Sequence, residues 1–141
     1  MTLDPQLVIV HLRAVGVVMA LLVAVNLVVP VRYRWRDETA RLSLLNRQIF
    51  QAHAVFLILT LALLSVLLLN YADVLVESTP LSRAVLAGLT IFWGLRMLMQ
   101  WCFYSPAIWR GDRLHTAMHW LFSATWVYVT GVFATAWLTL L

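Results

Sequence analysis

Residues 46–69 read NRQIFQAHAVFLILTLALLSVLLL, and this stretch decides the fold class. After Arg47 it contains no charged residue, and its apolar run is continuous rather than alternating. A helix rises about 1.5 Å per residue, so the stretch is long enough to cross a hydrocarbon core about 30 Å thick. Strands are disfavoured because open sheet edges cannot be left in lipid. The stretch therefore predicts a transmembrane α-helix.

Three further stretches of the same kind, 6–29, 80–104 and 113–140, bring the predicted spans to four. Of the 141 residues, 63% are hydrophobic and 11% are charged, which lies outside the usual range of soluble globular domains. We predict a single membrane domain over 1–141. Its fold class is an all-α integral membrane protein, built as an up-down bundle of four transmembrane helices.

The predicted spans carry recognisable helix signals at their ends. Pro30 and the arginines behind it are expected to stop the first span. The third span opens on Thr79-Pro80, a capping residue followed by proline at the first helical position, and Asp112 is expected to cap the fourth. We expect the first span to be retained rather than cleaved, because an acidic residue precedes it and no small-residue cleavage site follows.

Arginine supplies all ten basic residues of the chain, whose formal net charge is +4. Seven of them lie in the loops after the first and third spans, two lie near the opposite ends, and the tenth lies inside the third span. The positive-inside rule then places those two loops in the cytoplasm and both termini outside, as in a protein of a bacterial inner membrane. Anionic lipid head groups explain this charge, so the bilayer and not nucleic acid is the expected partner.

Each predicted span places a strongly polar residue in the cytoplasmic half of the membrane. Counted at about 1.5 Å per residue, four such residues lie about 9–12 Å from their cytoplasmic ends: Asn26, His53, Arg96 and His119. Gln100 lies one turn from Arg96 on the same helix face. Because arginine at a helix centre costs about 2.5–3.5 kcal/mol on insertion scales, these groups are expected to face inward. We predict that the five residues form a cofactor-binding layer.

Three ligand chemistries fit this polar layer. Haem b needs two imidazoles on separate helices, which His53 and His119 supply, and Arg96 suits a propionate. A quinone or an anionic small molecule fits donors from histidine and arginine with tryptophan walls. A metal ion takes His53 with His115 and His119, because the His-x3-His spacing places two rings on one helix face. The sequence leaves all three open.

Other classes of function are disfavoured. No Asp or Glu lies inside a span, which argues against a carboxylate-based antiporter. The single cysteine, Cys102, excludes an internal disulfide, and no phosphate-binding loop or nucleophile elbow occurs. Whether the protein is an enzyme stays open. The rival interpretation is a non-catalytic scaffold or accessory subunit of a larger complex, or a homo-oligomer, in which the polar layer bridges helices.

The second and fourth spans share one internal echo. The pattern Arg-x5-His-x2-Phe begins at Arg47 and again at Arg113. If the echo is a true repeat, the bundle consists of two parallel helical hairpins related by an axis along the membrane normal. Shared interfacial chemistry is the alternative explanation.

Overall fold

A computed structural model of the chain describes residues 4–141, apart from the side chain of Ile108. In chain order its α-helices are α1 (Pro5–Arg32), α2 (Trp35–Thr39), α3 (Leu44–Asn70), α4 (Ala72–Leu75), α5 (Pro80–Cys102) and α6 (Arg113–Leu138). A short 3₁₀ turn, Pro106–Ile108, lies between α5 and α6.

The helices α1, α3, α5 and α6 are each long and apolar enough to cross a membrane. No strand occurs in the part of the chain that the structure describes. The predicted all-α fold class, with four membrane-length helices, is therefore confirmed. A single domain over 1–141 stays a prediction, and the first three residues of that range lie outside the described residues.

The chain divides into two compact units. One contains the chain up to Leu12 together with Asp73–Leu141, and the other contains Arg13–Ala72. All contacts described below lie within one unit or the other. Whether the two units repeat each other about an axis stays a prediction.

In the Arg13–Ala72 unit, α1 packs against α3 as an antiparallel hairpin. The Ser65 hydroxyl near the end of α3 donates to the Gly16 carbonyl in the first half of α1, at 2.8 Å. Nearer the connecting loop, Asn26 of α1 and His53 of α3 line one cavity. Later residues of α1 therefore contact earlier residues of α3, as expected for consecutive membrane spans joined by a short loop.

In the other unit, α5 and α6 form a second antiparallel hairpin. The Trp101 indole at the end of α5 donates to the Ser123 hydroxyl at 3.2 Å. Further from the loop, Trp93 and Trp126 stack with ring centroids 5.2 Å apart. Both members of the stack are buried, at 4% and 5% exposed. This hairpin holds most of the predicted polar residues in fixed register.

The helix ends follow the capping rules at two predicted positions and depart from a prediction at one. Thr79 caps α5 by accepting from the backbone N–H of Ser82, with Pro80 at the first helical position, and Asp112 caps α6. Of Pro30 and the arginines behind it, which were expected together to stop the first span, α1 passes through the proline and ends at Arg32, the first of those arginines. A proline in the last turn removes only one ladder donor, and its fixed φ is compatible with helix.

Candidate functional site

Gln100 is the centre of a hydrogen-bond network that joins α5 to α6. Its side chain is buried, and its Oε1 accepts from Arg96 Nη1 and from Trp126 Nε1, each at 3.3 Å. Its Nε2 lies 3.2 Å from His119 Nδ1. The expected contact between Arg96 and Gln100 is therefore present, and it extends across the hairpin to His119.

The partners of Gln100 determine where the His119 ring carries its proton. Guanidinium and indole groups can only donate, so the amide oxygen must face Arg96 and Trp126. The amide nitrogen then donates to His119 Nδ1, which must be an acceptor. In the neutral ring the proton consequently lies on Nε2, and this nitrogen is left as a donor. The assignment rests on donor and acceptor chemistry, since amide orientation follows from the network.

Aromatic rings enclose the two basic members of the network. The Arg96 Cζ lies 4.7 Å from the centroid of the Trp126 ring and 5.9 Å from that of Tyr104. The His119 ring stacks on Trp109, with centroids 4.3 Å apart and planes 7° from parallel. Cation–π contact and stacking hold both side chains in place without using their remaining donors.

A cavity of about 250 Å³ opens beside this network. It is lined by Arg96, Gln100, Tyr104, Trp109, His115, Met118, His119 and Phe122. The Trp109 indole N–H is buried and has no hydrogen-bond partner among the described residues. The cavity thus combines an apolar, largely aromatic wall with several N–H groups and one guanidinium, and it contains no carboxylate.

Local sequence explains how these side chains reach one place. Gln100 follows Arg96 by four residues and Trp126 follows His119 by seven, so each pair lies on one helix face. Trp109 belongs to the loop between the helices, where Ser105 caps the 3₁₀ turn. The Thr116 hydroxyl donates to the Trp109 carbonyl at 2.6 Å, which fixes the loop against the start of α6.

The remaining predicted layer residues, Asn26 and His53, lie in the Arg13–Ala72 unit. They line a smaller cavity of about 180 Å³ together with Trp35 and Phe50. The His53 Nδ1 lies 2.7 Å from the Ile49 carbonyl, which can only accept. This nitrogen therefore carries a proton, and the Nε2 of a neutral His53 ring has a free lone pair. The two histidines are thus held in opposite tautomers.

Each unit accordingly holds a part of the predicted layer. Arg96, Gln100 and His119 lie together, and Asn26 and His53 lie together in the other unit. Convergence of the two groups on one ligand stays a prediction.

His115 lies at the edge of the first cavity and faces Asp112. Its Nδ1 is 3.4 Å from the Asp112 carboxylate. Within residues 4–141, no three His, Cys, Asp or Glu side chains are grouped as ligands for a metal ion. The metal site formed by His53, His115 and His119 would need a residue from each unit, and it stays a prediction.

Sequence reasoning missed two residues of the network and one histidine pair. Trp109 lies in a loop, where no periodicity points to His119. Trp126 was expected only as an apolar wall, although its seven-residue spacing from His119 places it on the same face. His11 of α1 pairs with Tyr128 of α6, with Nδ1 and the hydroxyl 2.9 Å apart.

The cap of α6 gives the hairpin a pH dependence. The His115 backbone N–H donates to the Asp112 carboxylate at 2.9 Å, and this bond is the main cause that lowers the pKa of Asp112 below its ordinary value of 3.8. A lowered carboxyl pKa stabilises the fold above the ordinary value, and the stabilisation is lost as pH falls through the lowered one. We expect Asp112→Asn, which keeps a capping oxygen, to flatten the decline of melting temperature below about pH 4.

The measurement for this prediction is thermal unfolding in detergent between pH 7 and pH 3. Asp73→Asn, which removes a carboxylate from the first turn of α4, is the matched control and should keep the wild-type profile. Identical acid profiles for wild type and Asp112→Asn would contradict the role of the cap.

Comparison of the chain with protein-family models, with curated proteins and with solved structures finds no significant match. The functional interpretation therefore depends on the chemistry of the described residues.

Proposed function

We propose that this polytopic membrane protein is a binding module whose α5–α6 hairpin holds the carbonyl-bearing head group of a quinone-type amphiphile. The supporting observation is the hydrogen-bond chain through Gln100. In this chain the acceptor atoms, Gln100 Oε1 and His119 Nδ1, are already bonded within the hairpin. Donor groups remain that can bind a ligand. Arg96 and His119 Nε2 are the donors that we assign to the ligand oxygen, and Trp109 and Phe122 form the apolar wall.

The donor character of the cavity favours a carbonyl ligand over haem b. An iron ion coordinated through Nε2 needs a lone pair on that nitrogen, and metal-ligating histidines donate through their other nitrogen. His53 is arranged in this way, but His119 is arranged in the opposite way. Ligation by His119 would require a change of tautomer and the loss of its bond from Gln100. The same requirement applies to the metal site through this nitrogen.

The cavity is also suited to a planar head group attached to an apolar tail. Ligand pockets are mostly apolar with a few placed polar groups, and this one has aromatic walls and one formal positive charge. An anionic head group is the second ligand class with the same acceptor chemistry. On the arginine distribution, the cavity lies in the cytoplasmic leaflet of a bacterial inner membrane, with both termini outside.

One observation favours the rival function, a scaffold or accessory subunit. Gln100 is only 6% exposed and bonds to three side chains of its own hairpin. A network of this kind joins two helices whether or not a ligand binds. The two functions differ in one measurable respect, since only a binding module responds to an added amphiphile.

We expect the purified protein to bind a short-chain benzoquinone saturably, with quenching of tryptophan fluorescence and a rise in melting temperature. Arg96→Gln should weaken this binding about ten- to hundredfold, since a hydrogen bond to a charged group contributes about 1.5–3 kcal/mol. Arg83→Gln is the matched control, because Arg83 lies on the same helix but donates to Ser78 outside the cavity. It should leave the affinity unchanged.

Other outcomes of this titration would replace the proposal. A saturable response to short-chain phosphatidylglycerol that Arg96→Gln weakens, with no response to the benzoquinone, would assign the cavity to an anionic head group. A Soret band that disappears in both His53→Ala and His119→Ala would assign haem b. No response to the benzoquinone, no Soret band and no effect of Arg96→Gln on lipid binding, with Arg96→Gln merely less stable, would favour the scaffold.

A further inference from the structure

A second polar cavity lies in the Arg13–Ala72 unit, where the loop after α1 meets the start of α3. Its volume is about 390 Å³. It is lined by Arg36, Thr39, Leu44, Arg47, Gln48 and Gln51, so all but one of these lining side chains are polar. Nothing in the function proposed above uses this cavity.

The cavity presents two guanidinium groups that are not paired with any carboxylate among the described residues of this unit. The nearby carboxylate of Asp37 is bound by Arg34, whose Nη2 and Nε lie 2.7 and 2.8 Å from it. Within the described residues of this unit, no hydrogen bond or ion pair engages the side chains of Arg36 or Arg47. The same holds for the amides of Gln48 and Gln51. The cavity therefore contains several hydrogen-bond donors that have no partner within this unit, and its lining side chains carry a net positive charge.

The wall that carries Arg36 is held in place by packing. The Thr39 hydroxyl is buried and donates to the Trp35 carbonyl at 2.6 Å, which closes the single turn of α2. The Trp35 ring meets Phe50 of α3 edge-to-face, with centroids 4.9 Å apart. These contacts fix α2 against the first turns of α3. The backbone that carries Arg36 is thereby held beside α3, which carries Arg47, before any ligand binds.

The position of the cavity along the chain points to the head-group level of a membrane. It lies four residues beyond the end of α1 and covers the first two turns of α3, which are the ends of two membrane-length helices. Aromatic residues such as Trp35 are enriched at this level, and the arginine distribution assigns it to the cytoplasmic side. Basic pockets between helices at that level suit anionic lipid head groups.

We propose that this cavity binds the phosphate of an anionic phospholipid. Arginine matches phosphate oxygens with two parallel N–H bonds, so Arg36 and Arg47 can hold one phosphate between them. Gln48 and Gln51 then donate to the hydroxyl or ester oxygens of the glycerol head group. The occupant is a lipid and not a free anion, because Leu45 and Ile49 of α3, which lie between lining residues along the helix, are exposed apolar side chains that can contact the acyl chains of a bound lipid.

The test compares two double variants that remove the same charge from the same loop. Arg36→Gln with Arg47→Gln removes both guanidiniums of the cavity, whereas Arg32→Gln with Arg41→Gln removes two exposed arginines outside it. Any basic residue near the surface attracts anionic lipid, so both variants should lose that general contribution equally. We expect the cavity variant to bind phosphatidylglycerol about tenfold more weakly than the control variant, with phosphatidylcholine binding unchanged in both.

Binding can be measured by native mass spectrometry of the detergent-solubilised full chain with added lipid. Arg36→Lys with Arg47→Lys keeps the charge but loses the planar fork, and an intermediate affinity is expected. It also keeps the proposal testable if the glutamine variant does not fold. Equal loss in the cavity and control variants would overturn the proposal, because surface charge alone would then explain lipid binding.

Two further measurements separate this proposal from its alternatives. Displacement of phosphatidylglycerol by an equal concentration of inorganic phosphate would overturn it in favour of a soluble anion. Benzoquinone binding by the α5–α6 hairpin should be the same in the cavity variant as in wild type. Failure of one proposal therefore leaves the other intact.

Discussion

Gly16→Leu is expected to destabilise the α1–α3 hairpin more than Gly16→Ala or Gln51→Leu in the same unit. A Cβ atom at Gly16 would lie 3.0 Å from Leu69 Cγ and 3.1 Å from Leu68 Cβ. The Leu68 Cβ is fixed by its backbone, and Leu68 is fully buried, so the helices must separate to admit a larger side chain. Overpacking of this kind costs about 1–3 kcal/mol. Separation also lengthens the bond from Ser65 to the Gly16 carbonyl, and interhelical hydrogen bonds in membranes contribute about 0.6 kcal/mol.

Gly88→Leu provides the control for this prediction. Gly88 lies on α5, is exposed, and has no atom within 4 Å of the position where a Cβ would lie. Both substitutions gain about 0.8–1.0 kcal/mol of helix propensity, so their difference isolates the packing contribution. Thermal unfolding in detergent measures it, with Gly16→Ala expected between wild type and Gly16→Leu. Equal melting temperatures for Gly16→Leu and Gly88→Leu would mean that the close approach at Gly16 contributes nothing.

The long helices could be predicted from sequence because lipid leaves an apolar run no alternative. A continuous stretch such as 54–69 must satisfy its own backbone groups, and only a helix does so within one segment. The caps at Thr79 and Asp112 were predictable for a related reason, since both residue types accept from the first free N–H groups of a helix. Pro30 shows the limit of such rules. Its effect depends on how many ladder bonds follow it, and the sequence alone does not give that number.

The candidate site was predictable only where it depends on helix periodicity. Arg96 and Gln100 share a face by spacing, and the same spacing argument reaches Trp126 from His119. Trp109 could not be found in this way, because the path of a loop is set by tertiary contacts such as the bond from Thr116. The tautomers of His53 and His119 were equally inaccessible, since each depends on which atom faces Nδ1.

Small residues illustrate the same difference between pattern and contact. Four glycines lie on the membrane-length helices, and sequence gives each of them the same expected role in close packing. Only at Gly16 would a Cβ meet atoms closer than 3.4 Å, whereas Gly94 would make an ordinary contact with Thr130 at 3.8 Å. The rotation of each helix about its axis decides this, and a run that is apolar on every side does not specify that rotation.

Gln100→Leu is expected to lower the stability of the α5–α6 hairpin by about 2 kcal/mol and to abolish benzoquinone binding. The substitution leaves three groups without their partner, of which the Trp126 indole N–H is the most deeply buried. An unsatisfied buried donor costs about 1–3 kcal/mol. The loss of the partner costs less at Arg96 and His119, because both side chains are partly exposed. Gln51→Leu is the control for stability, since Gln51 is exposed and makes no hydrogen bond within the described residues of its unit. If both variants unfold at the same temperature, the network does not stabilise the hairpin.

Gln100→Glu separates the acceptor role of this residue from its donor role. A carboxylate still accepts from Arg96 and Trp126, so we expect it to recover most of the stability lost in Gln100→Leu. It offers no donor to His119, whose Nδ1 must then carry a proton to keep the contact. Nitrogen-15 spectra of labelled histidine should therefore show the neutral His119 ring protonated on Nε2 in wild type and on Nδ1 in Gln100→Glu. A signal from protonated Nδ1 in the wild type would mean that the amide of Gln100 has the opposite orientation. His119 Nε2 would then not be the donor to a ligand carbonyl.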